Sequence, residues 1–146
     1  MNPTIEDFIQ CKRLAIVGVS RSGKKFGNTI YTELKQRGYK VSIIHPEAKE
    51  IDGEPCFSSL AAAKEQVDGV VICVAPAKAK EVVREAAAAG IKKAWVQMGA
   101  ENAETTALAN ELGVSLVSGK CILLYATPVT GFHVLHRGFA RLFGQL

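Results

Sequence analysis

The chain has 146 residues and a net charge of +4, and 48% of its residues are hydrophobic and 22% are charged. This composition is typical of one globular domain and excludes a disordered or fibrous protein. The basic residues are scattered and not interleaved with aromatic residues, so nucleic acid is not an expected partner. The apolar run GVVICVAPA contains a proline and is too short to span a membrane, and the first residues carry acids where a secretory signal has basic ones. We therefore expect a cytoplasmic protein without a membrane partner.

Short apolar runs alternate with amphipathic stretches along the chain. The runs LAIVGV, VSII, GVVICV, AWVQM and VSLV predict five buried strands. The stretches FGNTIYTELKQRG, SSLAAAKEQ, KAKEVVREAAAAG and AETTALANELG predict the helices between them, and Phe26, Ile30 and Leu34 form an apolar stripe on the first helix. This alternation predicts an α/β fold: a doubly wound, about five-stranded parallel Rossmann-like sheet with helices on both faces.

Residues that begin or end helices stand at the boundaries of these stretches. Gly38, Gly90 and Gly113 follow three of the helices, where glycine adopts a left-handed cap without a steric penalty. Ser58 or Ser59 can cap the start of SSLAAAKEQ. The sequence therefore predicts one end of each of the four helices.

The C-terminal segment, residues 126–146, is predicted to form a tail helix. Its apolar residues recur at helical spacing: Phe132, Leu135, Phe139, Leu142 and Phe143. We expect this helix to dock on the sheet or on a second subunit of a homodimer, because its few basic residues disfavour a membrane surface. Since no linker precedes it, the chain is expected to form a single domain over residues 1–146.

The loop GVSRSGKKFGN joins the first predicted strand to the first predicted helix. A helix that begins directly after a strand points its free N–H groups and positive dipole end at the C-terminal edge of the sheet, which suits a phosphate. Gly18 permits a tight turn and Gly27 a close approach, while Ser20, Lys24 and Lys25 can contact phosphate oxygens. The alternative is that Ser20 caps the helix and both lysines are only solvated.

Two nucleotide-binding motifs do not fit this part of the chain. A Walker A loop is excluded because Lys25 stands where serine or threonine must bind magnesium. An NAD-binding unit should end its second strand in an acid, whereas this chain has His45 and Pro46 there, with Glu47 one step beyond. These departures disfavour an NTPase and an NAD enzyme.

The spacing of the cysteines indicates neither a metal site nor a disulfide framework. Cys11, Cys56, Cys73 and Cys121 form no C-x-x-C pair and have no histidine at the spacing of zinc ligands. Cys121 follows the last predicted strand, where it is either a buried structural residue or a thiol that forms a mixed disulfide with a bound thiol.

Five stretches in order, GVSRSGKKFGN, HPEAKEIDGEPCFSSL, VDGVVICVAP, AWVQMGAEN and LVSGKCILL, resemble the signatures of the small CoA-binding protein family. The Rossmann-like domain of that family is similar to the CoA-binding domain of the succinyl-CoA synthetase alpha subunit. The resemblance covers roughly residues 10 to 125. The family loop reads G-A-S, then a few variable residues, then K-[FY]-G, and this chain matches it at Gly18, Ser20, Lys25, Phe26 and Gly27, with Val19 at the alanine position. Where the family commonly has Asn-Pro after the second strand, this chain has His45-Pro46.

The resemblance implies that coenzyme A binds at the C-terminal ends of the strands. Phosphates would meet the first loop, the adenosine would lie by the end of the second strand, and the nucleotide or pantetheine would pass the ends of the third and fourth strands. The implied binding residues are Gly18, Val19, Ser20, Lys24, Lys25, Phe26, Gly27, His45, Pro46, Lys49, Val74, Ala75, Pro76, Met98 and Gly99.

No catalytic residue is predicted. No recognisable motif places a carboxylate or nucleophile with His45, and His133 and His136 have no acidic partner at helical spacing. We therefore expect a non-catalytic protein that binds CoA or an acyl-CoA as a carrier or regulatory protein. Two alternatives stay open: an NAD(P)-binding redox sensor, and a subunit of an acyl-CoA ligase that needs a separate catalytic partner.

Overall fold

The computed structural model describes residues 2–128 of the chain. The strands in this range are β1 (Arg13–Val17), β2 (Lys40–Ile44), β3 (Glu50–Ile51), β4 (Glu54–Phe57), β5 (Gly69–Ile72), β6 (Lys93–Gln97) and β7 (Ser115–Lys120). The α-helices are α1 (Pro3–Ile9), α2 (Phe26–Gln36), α3 (Leu60–Ala63), α4 (Pro76–Ala88) and α5 (Ala103–Leu112). Short 3-10 turns follow α3 and β7, at Lys64–Gln66 and Ile122–Leu124.

The five predicted strands are confirmed, and they lie within a larger sheet. The strand order is β3-β4-β2-β1-β5-β6-β7, and all neighbours from β4 to β7 run parallel. The expected number of strands is too low by two, because β3 and β4 form an additional antiparallel hairpin. Asp52 and Gly53 close this hairpin with positive φ values of 50° and 78°, as a tight two-residue turn requires.

Helices cover both faces of the sheet, as predicted. Successive residues of β6 point to opposite faces: Ala94 and Val96 pack in the core that includes α4 and α5, whereas Trp95 packs in the core that includes α1 and α2. The Trp95 ring lies 5.5 Å from the ring of Phe8 on α1. Each strand in the centre of the sheet therefore contributes to two separate hydrophobic cores, which explains its uninterrupted apolar sequence.

The predicted helix ends are confirmed. Gly38, Gly90 and Gly113 have φ values of 94°, 79° and 73°, which place all three in the region that favours glycine. Of the two candidate serines, Ser59 is the cap, since its side chain accepts a hydrogen bond from Ala62 N. The helix it caps is shorter than predicted and passes into a 3-10 turn. The helix α1 was not predicted; Asn2 caps it by accepting a hydrogen bond from Thr4 N.

The chain after β7 is tied to the end of α2 by buried side chains. Arg37 donates to the backbone oxygens of Leu123 and Ala126, each at 2.8 Å. The Tyr39 hydroxyl donates to Thr127 O at 2.8 Å. Residues 126–128 lie outside any helix, and the rest of the predicted tail helix falls outside the described residues. Within residues 2–128, no helix is long and apolar enough to cross a membrane.

Candidate functional site

A cleft of about 440 Å³ lies at the C-terminal edge of the sheet. Three connections form it: the start of α2, the segment from β5 into α4, and the segment from β6 towards α5. Open α/β sheets bind their ligands at this edge. The residues that line it are Lys25, Phe26, Gly27, Cys73, Val74, Ala75, Lys78, Gln97, Met98, Gly99 and Ala100.

Two glycines let three segments of backbone meet beside the cleft. Gly18, directly after β1, has a φ of 119°, and a Cβ added there would lie 2.2 Å from the backbone oxygen of Cys73. A Cβ added at Gly27 would lie 2.3 Å from the backbone oxygen of Gly18. A Cβ atom cannot lie this close to a backbone oxygen, so only glycine fits at either position. The turn after β1 therefore packs directly between the end of β5 and the start of α2.

A buried asparagine holds the loop after β1 in place. Asn28 Oδ1 accepts a hydrogen bond from Ser20 N at 3.0 Å, and Asn28 Nδ2 donates to Ser20 O at 2.9 Å. Asn28 is only 7% exposed, so both bonds are shielded from competing water. Sequence reasoning missed this residue, because its role depends on a loop that folds back onto the first turn of the helix.

The alternative in which Ser20 caps α2 is wrong. Lys25 occupies the N-cap position, and no side chain caps the helix there. Ser20 is engaged within the loop instead: its hydroxyl lies 2.6 Å from the Ser22 hydroxyl and accepts a hydrogen bond from Ser22 N at 3.2 Å. No side chain therefore caps the start of α2.

The start of α4 lies at the same cleft and, like that of α2, has no side-chain cap. Its N-cap residue is Ala75, which supplies no side-chain hydrogen bond, and Pro76 begins the helix. The helices α1, α3 and α5, whose starts do not line the cleft, are each capped by a side chain. The two helix starts at the cleft thus lack side-chain caps and direct their positive dipole ends to it.

Two lysines add positive charge at these helix starts. Lys25 precedes α2, and Lys78 lies in the first turn of α4; both are exposed. Combined with the two helix dipoles, they make this side of the cleft suitable for a phosphate or pyrophosphate. Lys78 was not among the predicted binding residues, since nothing in the local sequence distinguishes it from Lys80.

The model for the family described as "CoA binding domain" matches residues 12–127. The chain belongs to this family. Coenzyme A is accordingly the cofactor of this CoA-binding domain, as the sequence resemblance implied.

Similar proteins include much longer enzymes and proteins of comparable size. The domain is 29% identical over 128 residues to acetate–CoA ligase [ADP-forming] I of Archaeoglobus fulgidus, which covers 81% of this chain and 19% of that protein. A solved acetyl-coenzyme A synthetase from Ca. Korarchaeum cryptofilum, described as dinucleotide forming, matches with 29% identity and a TM-score of 0.65, over 73% of this chain and 25% of that one. A conserved hypothetical protein from Pyrococcus furiosus has 35% identity and a TM-score of 0.73, over 77% of this chain and 97% of that one. This chain therefore spans about a fifth of the curated ligase.

The other side of the cleft is apolar. Phe26 and Met98 are 41% and 37% exposed, and both line the cleft. They are the large exposed hydrophobic residues of the described range. The helical stripe predicted for α2 therefore holds for Ile30 and Leu34, which are fully buried, but not for Phe26. Exposed apolar side chains at one cleft are typical of a ligand site.

Cys73 is the cysteine that lines the cleft of this CoA-binding domain. Burial, with a smaller effect from Cys121, raises the pKa of the Cys73 thiol to about 12. The thiol therefore stays protonated near neutral pH, and a protonated thiol is a poor nucleophile. Cys121 is fully buried and is not part of the cleft lining, as expected for a structural residue.

The remaining predicted residues are not part of the cleft wall. Val19 is buried, and Ser20 is partly buried within its loop. His45 Nδ1 accepts hydrogen bonds from Glu47 N and Ala48 N, so this nitrogen shapes the turn after β2. The exposed predicted residues outside the lining are Lys24, Pro46, Lys49 and Pro76.

Proposed function

We propose that this protein binds CoA or an acyl-CoA in the cleft at the end of β5 and β6, and that it does so without transforming its ligand. The observation that carries this proposal is the convergence of two uncapped helix starts, those of α2 and α4, on one cleft. An anionic ligand is favoured by the positive dipole ends of two helices that no side chain caps.

The chemistry of CoA matches the two sides of the cleft. Its pyrophosphate suits the side formed by the helix starts with Lys25 and Lys78, where charge-assisted hydrogen bonds are available. Its pantetheine arm is less polar and suits the side that carries Phe26 and Met98. We assign the adenosine to the neighbouring end of β2, where His45, Pro46 and Lys49 follow the strand.

Binding without catalysis is supported by the residues of the cleft. Among the described residues that line it there is no carboxylate and no imidazole to act as a general acid or base. The thiol of Cys73 is held protonated by its high pKa. These two features support a role as a carrier or regulatory protein.

Calorimetric titration with CoA, 3′-dephospho-CoA, NAD and NADP tests the proposal. We expect CoA to bind most tightly, and Lys78→Ala to weaken CoA binding about tenfold by removing a charge-assisted hydrogen bond. Lys80→Ala is the matched control, because Lys80 lies on the same helix, is ion-paired with Glu104 at 3.6 Å and does not line the cleft. Tighter binding of NAD or NADP than of CoA would instead support the redox-sensor alternative.

A second candidate function is supported by the relatives themselves. The chain covers 19% of an ADP-forming acetate–CoA ligase, so it could supply the CoA-binding part of such a ligase to a separate catalytic chain. Affinity purification from the native cell extract tests this function. Recovery of a larger subunit, and ADP formation only when both chains are mixed, would support it.

A further inference from the structure

Gln97 is a buried polar residue at the end of β6, and only one of its two side-chain polar atoms has a hydrogen-bond partner among residues 2–128. It is 2% exposed, and its Oε1 accepts a hydrogen bond from Ile122 N at 3.0 Å. Its Nε2 has no hydrogen-bond partner among residues 2–128. Buried amide nitrogens are normally paired, so an orphaned one calls for a missing acceptor.

The orientation of this amide is fixed by the fold. The pairing of β6 with β7 shifts after Val96, so that Gln97 lies opposite Lys120 and Gly119 is skipped. Gly119 has a φ of 76°, and the chain then crosses the end of β6 at Ile122. Because a backbone N–H can only donate, it holds the oxygen of the Gln97 amide towards itself and leaves the NH₂ group as the unpaired donor.

Gln97 also lines the cleft, next to the apolar residue Met98. The donor is covered from bulk water, while the neighbouring Met98 is 37% exposed and has a flexible side chain that can move aside. The lysines and helix starts that suit phosphates belong to α2 and α4. A ligand anchored there would extend its other end towards β6.

We propose that Gln97 Nε2 donates a hydrogen bond to a carbonyl oxygen of the arm of CoA or acyl-CoA that carries the amide and thioester groups. This inference rests on the proposed function, and it adds the group that recognises the part of the ligand beyond its phosphates. Pantetheine provides amide carbonyls, and an acyl-CoA provides a thioester carbonyl. Either kind of carbonyl oxygen can accept the hydrogen bond that Gln97 Nε2 has no partner for among residues 2–128.

Calorimetric titration of Gln97→Leu with CoA, acetyl-CoA and adenosine 3′,5′-bisphosphate tests the inference. The bisphosphate is the part of CoA that lacks the arm. We expect about tenfold weaker binding of CoA or acetyl-CoA and unchanged binding of the bisphosphate. Weaker binding of acetyl-CoA alone would assign the thioester carbonyl as the acceptor, and equally weaker binding of CoA and acetyl-CoA would assign an amide carbonyl.

Thr105→Val is the matched control, since Thr105 is 1% exposed, its Oγ1 also lacks a partner among residues 2–128, and it does not line the cleft. If Gln97→Leu does not fold, Gln97→Glu keeps the acceptor for Ile122 N and removes the NH₂ donor. Unchanged binding of every ligand, or equal loss for the bisphosphate and for CoA, would overturn the inference. Failure of the unsubstituted protein to bind CoA would instead overturn the proposed function.

Discussion

Gly18 occupies a point at which backbone segments from β1 and β5 touch. We expect Gly18→Ala to lower the free energy of unfolding by about 3 kcal/mol or more, because its Cβ would lie 2.2 Å from the Cys73 backbone oxygen. Gly23→Ala is the matched control: its φ is 75°, but nothing lies within 4 Å of its Cβ, which leaves a conformational cost of about 1 kcal/mol. Urea unfolding measures both losses, and equal values would contradict the close approach.

The thiol of Cys73 should react slowly despite lining the cleft. A pKa of about 12, compared with 9.0 for an ordinary thiol, lowers its thiolate fraction at neutral pH about a thousandfold. We expect iodoacetamide to label Cys73 slowly at pH 8, and the rate to rise with pH up to the raised pKa. Peptide mass mapping at several pH values measures the rate, with urea-unfolded protein as the fully reactive control. Fast labelling of the folded protein at pH 8 would contradict the burial of this thiol.

The sequence made some site residues predictable and left others hidden. Glycine and lysine spacing pointed to the loop after β1, and the structure places Lys25 and Gly27 on the cleft wall. Asn28 and Lys78 were not among the predicted residues, because each gains its role from a residue distant in sequence or from a helix start. A buried hydrogen-bond partner or an orphaned amide is a property of the assembled fold and leaves no local pattern.

At the scale of elements, the ion pair at the end of α2 should be important for stability. Arg37 and Glu33 are 2% and 6% exposed and lie 3.5 Å apart, and burial lowers the pKa of Arg37. We expect Arg37→Met to cost about 3–5 kcal/mol, since it leaves a buried carboxylate without this partner and frees two backbone carbonyls. Chemical denaturation measures the loss.

A second variant separates the two causes. Glu33→Gln combined with Arg37→Met removes the buried charge as well as the cation, so it should be more stable than Arg37→Met alone. If the double variant is no more stable, the loss comes from the carbonyls of the chain after β7 rather than from the carboxylate.

Long elements with a periodic pattern were predicted well, and short ones were not. The strands of the parallel sheet are buried on both faces, and α2 and α4 have 11 and 13 residues, so their patterns are strong. The hairpin of β3 and β4 has strands of two and four residues, which is too short for alternation to be recognised. The short helix α1 was missed for the same reason, although Asn2 followed by a proline is a common helix start.

At the scale of the whole molecule, stability should depend on pH through a bidentate ion pair. Arg13 Nε and Nη2 lie 3.0 and 2.8 Å from the Asp68 carboxylate oxygens, and the hydrogen bonds from Arg13 lower the pKa of Asp68 below its ordinary 3.8. A lowered folded-state pKa stabilises the protein above about pH 4, and the contribution is lost as pH falls through the folded-state value. We expect Asp68→Asn to lower the Tm slightly at pH 7, since the pair is exposed.

Differential scanning calorimetry of both proteins between pH 7 and pH 2 measures this effect. The difference in Tm between the unsubstituted protein and Asp68→Asn should shrink as the solution becomes more acidic. A difference that stays constant over this range would show that the charge of Asp68 is not its cause.

The contact of Gly18 with Cys73 and Gly27 has a consequence for the order in which the molecule folds. The hydrogen bonds of α2 join residues that are close in sequence, but the turn between β1 and α2 packs against the end of β5, which comes much later in the chain. We therefore expect the turn to reach its final shape only after β5 has paired with β1 in the middle of the sheet. A fragment limited to β1 and α2 would contain the whole loop sequence and still lack its conformation, so competence to bind ligand arises late and cooperatively, together with the central sheet.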